Sequence, residues 1–218
     1  MGRNPNFQTK GPMEARKGKM RQILKIIAIN LFCGASVLAS QSTIQWKSLP
    51  FKDKIKKSLL NEPYVQSLVT NPNESTQKID FLIAGLHKKQ CSFALVKLSQ
   101  YERFQEFIGF IKKSRYDEKQ GRIILSLSHM LLPFDMGLNF KLERVTKPGL
   151  YHFLFDSGFL KGLKGEIHIS AHKNRCLFVS TAKWQGKDTG IPNSVFSFFS
   201  STLGERAMER LFRISETM

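Results

Sequence analysis

NSVFSFFSSTLGERAMERLFR, residues 193–213, is the stretch on which the fold turns. Phe199, Leu203, Ala207 and Leu211 recur every four residues, and Phe196, Met208 and Phe212 widen the stripe. Glu205, Arg206, Glu209, Arg210 and Arg213 take the other positions. Apolar groups at three-to-four spacing opposite a charged face make an amphipathic helix. The pattern predicts a helix of about 22 residues, about 33 Å long. Such a helix needs an apolar partner surface of matching length, and a multi-stranded antiparallel sheet supplies one.

Upstream of a loop at 188–192 the period drops to two. Residues 175–184 place Leu177 and Val179 on one side and Cys176 and Phe178 on the other. Residues 166–171 set Ile167 and Ile169 against Glu166, His168 and Ser170. The same alternation aligns Tyr151, Phe153 and Phe155 in 150–156, Met136, Leu138, Phe140 and Leu142 in 134–144, and Ile123, Leu125 and Leu127 in 122–129. A short strand over 114–117 precedes them. Turns at 119–121, 147–149 and 172–174, and a glycine-containing link at 158–165, separate the segments. Further upstream, Phe93, Leu95 and Lys97 alternate with Ala94, Val96 and Leu98, which reads as a strand over 90–98. Ser99 is placed to cap a helix from Gln100, with Glu102 as capping-box partner. Phe104, Phe107, Ile108 and Ile111 give that helix a buried face, and Gly109 divides it into two short helices.

The order is strand, two short helices, six strands, long helix. With hairpin-sized links, this predicts an α+β fold in which a curved antiparallel sheet of seven strands wraps the C-terminal helix. Residues 40–88 are less legible. They contain a short helix near 52–60, a turn at 71–75 and an apolar stretch at 79–86 that suits helix or strand, and they are taken as an N-terminal extension of a domain spanning 89–218.

This order resembles the SRPBCC superfamily, the START-like helix-grip fold of pollen-allergen-like proteins, polyketide cyclases and coenzyme-Q-binding proteins. The segment VKLSQYERFQEFIGFI, residues 96–111, is similar to the family's first-strand-to-helix passage. Gly149-Leu150-Tyr151 and Gly165-Glu166 resemble the starts of its later strands, and residues 190–211 its last loop and helix. The resemblance covers residues 90–213, and residues 40–88 depart from it. It implies a deep apolar cavity between sheet and long helix that takes a hydrophobic small molecule such as a lipid, quinone or polyketide.

Candidate cavity residues are Phe196, Phe199, Leu203 and Ala207 on the helix, and Leu125, Leu138, Phe140, Phe153, Phe155, Leu177 and Val179 on the strands. Arg122, Arg144, Asp156 and Trp184 are the polar groups expected to orient a ligand. Any one of the apolar residues serves equally well as plain core, because Phe packs densely in both settings.

No catalytic residue is assigned. His129, His152 and His168 stand singly, and no Gly-x-Ser-x-Gly elbow or glycine-rich phosphate loop occurs. No CxxC or HExxH spacing occurs either, so neither metal nor cofactor is expected. Binding or transport of a hydrophobic molecule is the leading reading. A structural or membrane-surface interaction module is the alternative, and a cyclase- or dehydratase-type enzyme a further one.

Cys91 and Cys176 fit either a bridge or two buried thiols on residue patterns alone. In the resembling fold the first and last strands are neighbours. If Cys91 opens the first and Cys176 the last, antiparallel pairing puts them at opposite ends, and no disulfide is expected.

The N-terminus has its own character. Residues 1–22 are basic, residues 23–39 are almost wholly apolar, and Ala39-Ser40 ends the run with small residues. This pattern predicts a secretory signal peptide over 1–39, hence an exported, periplasmic protein, or alternatively an uncleaved anchor in the inner membrane facing the periplasm. The chain of 218 residues has net charge +17, and 27 basic against 16 acidic residues remain once 1–39 are set aside. Export argues against nucleic acid as the partner of that charge and for an anionic membrane surface or an acidic ligand. Forty-one percent apolar residues can fill a core, which excludes a wholly disordered chain. The oligomeric state is not legible.

Overall fold

The structure is a computed structural model that describes residues 43–216 apart from Leu131 and Pro133. The signal peptide or anchor expected over 1–39 lies outside the described residues.

A 3-10 turn, Trp46–Ser48, and helix α1, Asp53–Ser58, precede two strands, β1 (Tyr64–Asn73) and β2 (Thr76–His87). Helix α2 (Cys91–Leu98), a 3-10 turn (Tyr101–Arg103) and helix α3 (Phe104–Phe107) follow. Six more strands come next: β3 (Ile111–Asp117), β4 (Arg122–Leu127), β5 (Met136–Lys141), β6 (Gly149–Gly158), β7 (Lys164–His172) and β8 (Arg175–Lys187). The chain closes with α4, Asn193–Glu216. All eight strands form one antiparallel sheet in the order β1-β2-β8-β7-β6-β5-β4-β3.

The α+β class, the curved antiparallel sheet and the long terminal helix are as expected. The strand count is eight rather than seven, because the opening strands lie in the segment read as an extension. Residues 90–98 are helix α2, not a strand. Cys91, Ala94 and Leu95 are buried there, at helical spacing. A short apolar run satisfies both periods, and here tertiary packing selects the helix. Ser99 consequently closes α2, its N–H donating to the Leu95 carbonyl, instead of capping the next helix. Ile111, read as part of a helix face, opens β3. β1 continues through Asn71, Pro72 and Asn73, with a register irregularity between Thr70 and Asn73. As the outermost strand it can accommodate a proline that a central strand would reject.

The expected absence of a disulfide is corrected by the same shift. Cys91 and Cys176 are bonded, with Cα atoms 4.7 Å apart. Cys91 does not open a strand. It stands just after β2, whose last residue, His87, pairs with Cys176 at the start of β8. The end of one strand meets the beginning of its antiparallel neighbour, and the two thiols converge.

Each face of the sheet carries an apolar cluster. On one face, Phe196, Phe199 and Leu203 of α4 join the main core with Ile123, Leu125, Phe155 and Phe178. On the other, Leu49 and Leu59 pack with Ala84, Leu86, Leu177 and Val179. The N-terminal segment is fastened there by polar contacts. Ser170 Oγ donates to the Ile44 carbonyl at 2.8 Å, Trp46 stacks on His172 at 4.6 Å, and Arg175 donates to the Leu60 carbonyl at 2.9 Å.

Two glycines set the distance of α4 from β1 and β2. A Cβ on Gly85 would come within 2.5 Å of Met208 Sδ, and one on Gly204 within 2.9 Å of the Phe81 ring. Ser197 and Ser200 bond to Ser67 of β1 in the same interface. Buried Gln77 holds the start of the helix: its amide donates to the Ile191 carbonyl at 2.9 Å and to Asn193 Oδ1 at 2.8 Å. No helix among the described residues is long and apolar enough to cross a membrane.

Candidate ligand cavity

The stripe of α4 that is solid with aromatics in its first half changes character after Leu203. Gly204, Ala207, Met208, Leu211 and Phe212 follow, and beneath them the sheet does not close. A cavity of about 320 Å³ remains. Its floor is Phe81 and Ile83 of β2, Phe178 and Ser180 of β8, Ile167 and Ile169 of β7, Phe140 of β5 and Ile123 of β4. Leu95 and Leu98 of α2, with Tyr101 and Phe104, form one wall, and Leu142 and Val145 another. The volume is at the lower end of small-molecule pockets, which run from about 300 to 1,000 Å³.

The lining carries no charged side chain. Tyr101 is committed elsewhere: its hydroxyl accepts the Val145 N–H at 3.0 Å and donates to the Glu143 carbonyl at 3.3 Å. Burial pushes its phenol well above the ordinary tyrosine range. Ser180 differs. It sits between Ile83 and Ile167 in register across three strands, and its hydroxyl bonds to no described residue. A lone hydroxyl on an apolar floor is available to a ligand.

A buried latch holds the roof at its C-terminal end. His87 is fully buried, its Nδ1 accepts the Lys89 N–H at 3.0 Å, and its Nε2 lies 2.9 Å from Ser215 Oγ. Ser215 Oγ in turn donates to the Leu211 carbonyl at 2.8 Å, so the imidazole is the donor to it. The ring edge of Phe212 meets His87 at 5.1 Å. Burial holds the His87 pKa below the ordinary histidine value.

Of the residues named from sequence, Phe140 and Ala207 line the cavity. Leu125, Leu138, Phe153, Phe155, Phe196, Phe199 and Leu203 belong to the main core beside it. Phe140 stacks on Phe155 at 4.7 Å, and Phe196 on Phe199 at 5.0 Å. Leu177 and Val179 are corrected: they point to the opposite face, under Leu49 and Leu59. β8 is buried on both faces from Cys176 to Val179, so alternation alone could not tell its sides apart.

The polar candidates do not face the cavity. Arg122 and Asp156 form a bidentate pair at 2.6 and 2.5 Å, with Lys141 beside it at 3.7 Å. The Arg122 guanidinium holds the Asp156 carboxyl below its usual range. Arg144 fastens the α2–α3 turn to the sheet through the Ser99 carbonyl, Glu102 and Glu118, and lies 4.4 Å over the Tyr116 ring. Trp184 is buried and donates to the Lys161 carbonyl at 3.0 Å. Sequence reading missed Ser180, Phe81, Ile83 and Leu95: Phe81 and Ile83 sit in the stretch left open between helix and strand, and Leu95 in the one read as a strand. Among the described residues no group of three or more His, Cys, Asp or Glu is placed to hold a metal ion.

No family model matches this sequence, and no curated protein matches it. Solved structures do. A protein from Thermus thermophilus superposes with a TM-score of 0.53 at 10% identity, over 63% of this chain and 97% of the other. A START superfamily protein from Mycobacterium smegmatis gives 0.50 at 8% identity, over 63% and 97%. The Zhui aromatase/cyclase from Streptomyces sp. R1128 also gives 0.50 at 8% identity, over 65% and 94%. The chain has the START-like helix-grip fold.

Proposed function

We propose that this protein binds or carries a hydrophobic small molecule, of lipid, quinone or polyketide-like character, in the cavity under the second half of α4. The observation that carries the reading is an uncharged cavity of about 320 Å³ with one uncommitted hydroxyl, Ser180, on its floor. A ligand seated there is apolar over most of its surface and presents one hydrogen-bonding group. The likeness to a START superfamily protein and to an aromatase/cyclase supports the same class of ligand. Carriage is favoured over cyclase chemistry because proton transfer needs an acid and a base at the reacting atoms, and no ionisable pair lines this cavity.

The protein acts as an exported one in this reading, cleaved after Ala39. The Cys91–Cys176 disulfide supports an oxidising compartment. Determining the mature N-terminus by mass spectrometry tests it: Ser40 at the N-terminus is expected, and an intact leader on a membrane-bound chain would favour the anchor instead.

Binding is tested with the neutral fluorescent probe N-phenyl-1-naphthylamine. The wild type is expected to bind it, and Ala207→Trp, which fills the cavity from the roof, to weaken binding at least about tenfold while leaving circular dichroism unchanged. Arg122→Gln, outside the cavity, is the control. Equal binding by wild type and Ala207→Trp contradicts the assignment of the site.

A further inference from the structure

The stripe Phe196, Phe199, Leu203 continues along α4, at the same helical spacing, as Arg206, Arg210 and Arg213. The three phenylalanine and leucine side chains are buried, and the three arginines are exposed. Where the stripe changes, a groove of about 710 Å³ lies between α4 and the loops at Ile108–Phe110 and His129. Glu209 is the one acid among its lining residues. None of the three arginines forms an ion pair with a described residue, whereas Arg103, Arg122 and Arg144 all do. A guanidinium fork suits carboxylate and phosphate oxygens.

The groove and the cavity are lined by neighbouring residues of the same elements, with none in common. On α4, Ala207 and Leu211 line the cavity, and their sequence neighbours Arg206 and Arg210 line the groove. On the facing side, Phe104 lines the cavity and Ile108, one helical turn on, lines the groove. One turn is about 5.4 Å. Ala207 of the cavity and Arg210 of the groove stand three residues apart, side by side on the helix surface.

Resting on the cavity reading above, we infer that the ligand is an acidic amphiphile. Its carboxylate or phosphate head is held by Arg206, Arg210 and Arg213, and its apolar chain enters the cavity. The two halves of the site complement each other: the interior has no charge to pair with an acidic head, and the groove supplies three guanidinium groups.

Isothermal titration of the purified protein with dodecanoate, dodecyl phosphate and dodecanol tests this, all below their aggregation limits. The acidic chains are expected to bind at least about tenfold more tightly than the alcohol, a gap that narrows with added salt. In Arg206→Gln/Arg210→Gln/Arg213→Gln the acidic chains should fall to the level of dodecanol, with dodecanol itself unchanged. Glu209→Gln should widen the preference instead. Inorganic phosphate is included to separate a head group from a free anion. If it binds to the arginines as tightly as dodecyl phosphate does, the groove is a free-anion site and the inference is overturned. Equal affinity for alcohol and acids, unaltered by the arginine changes, also overturns it and leaves the cavity reading intact. Absence of binding by all three chains overturns both.

Discussion

Two side chains decide how the cavity behaves, one on its floor and one at its edge. Ser180 is the floor's free hydrogen-bonding group, and its loss should be felt only by ligands that use it. With 1-naphthol and naphthalene as probes, Ser180→Val should remove the preference for the naphthol, about 1 kcal/mol, and leave naphthalene binding in place. An unchanged preference would mean that the hydroxyl is not a ligand contact. His87 is held neutral by burial, which outweighs the backbone hydrogen bonding at Lys89 and Phe212 that favours the charged form. Its folded pKa lies below its unfolded value of about 6.5, so in the interval between them the unfolded chain binds the extra proton. Stability from this group is therefore complete above about pH 6.5 and declines as the pH falls below it. Glu216 nearby favours the charged form and Arg175 opposes it, and burial outweighs both. Thermal melts between pH 8 and pH 5 should show a falling Tm in the wild type and a flatter profile in His87→Gln. Parallel profiles would exclude His87 as the source.

At the scale of elements, the links that matter are the ones that sequence patterns conceal. The disulfide joins the first residue of α2 to the second residue of β8 across 85 positions of chain. Closing a loop of that length restricts the unfolded state, so Cys91→Ala/Cys176→Ala or reduction should cost about 3–5 kcal/mol, read from urea denaturation. A loss below about 1 kcal/mol would show that packing of α2 alone holds it to the sheet. The N-terminal segment is equally structural. Leu59, 1% exposed, covers Leu177 and Val179, and Leu59→Ala should destabilise by about 2–5 kcal/mol without altering ligand binding. The short helix near 52–60 was legible from the sequence, but α2 and β1 were not. The run at 91–98 satisfies strand and helix periods alike, and β1, with exposed Leu68 and with Pro72 near its end, lacks the alternation of a buried strand. By contrast α4 declares itself, because four turns of regular apolar spacing admit no strand reading.

For the whole molecule, the general plan was readable and the site only in part. Six successive hairpin-linked strands followed by a long amphipathic helix leave few topologies, and β3 to β8 with α4 follow that plan. The cavity was misplaced along the helix. Phe196, Phe199 and Leu203 drew attention as large apolar groups, yet large groups fill space. The room lies where α4 carries Gly204 and Ala207. Nor could the face of Leu177 and Val179 be read, since a strand buried on both sides has no polar side to orient it. The arginines that continue the aromatic stripe were visible in sequence, but as a solvated face. Only the fold shows that they line a groove.

The central claim is that the space beneath the second half of α4 holds a hydrophobic molecule. Native mass spectrometry of the protein purified from its own cells tests it most directly. The wild type is expected to carry an added mass that is lost on denaturation and recovered as an apolar, acidic small molecule, with Ala207→Trp emerging at its bare mass. A bare polypeptide mass for the wild type, together with no uptake of any added chain, would contradict it.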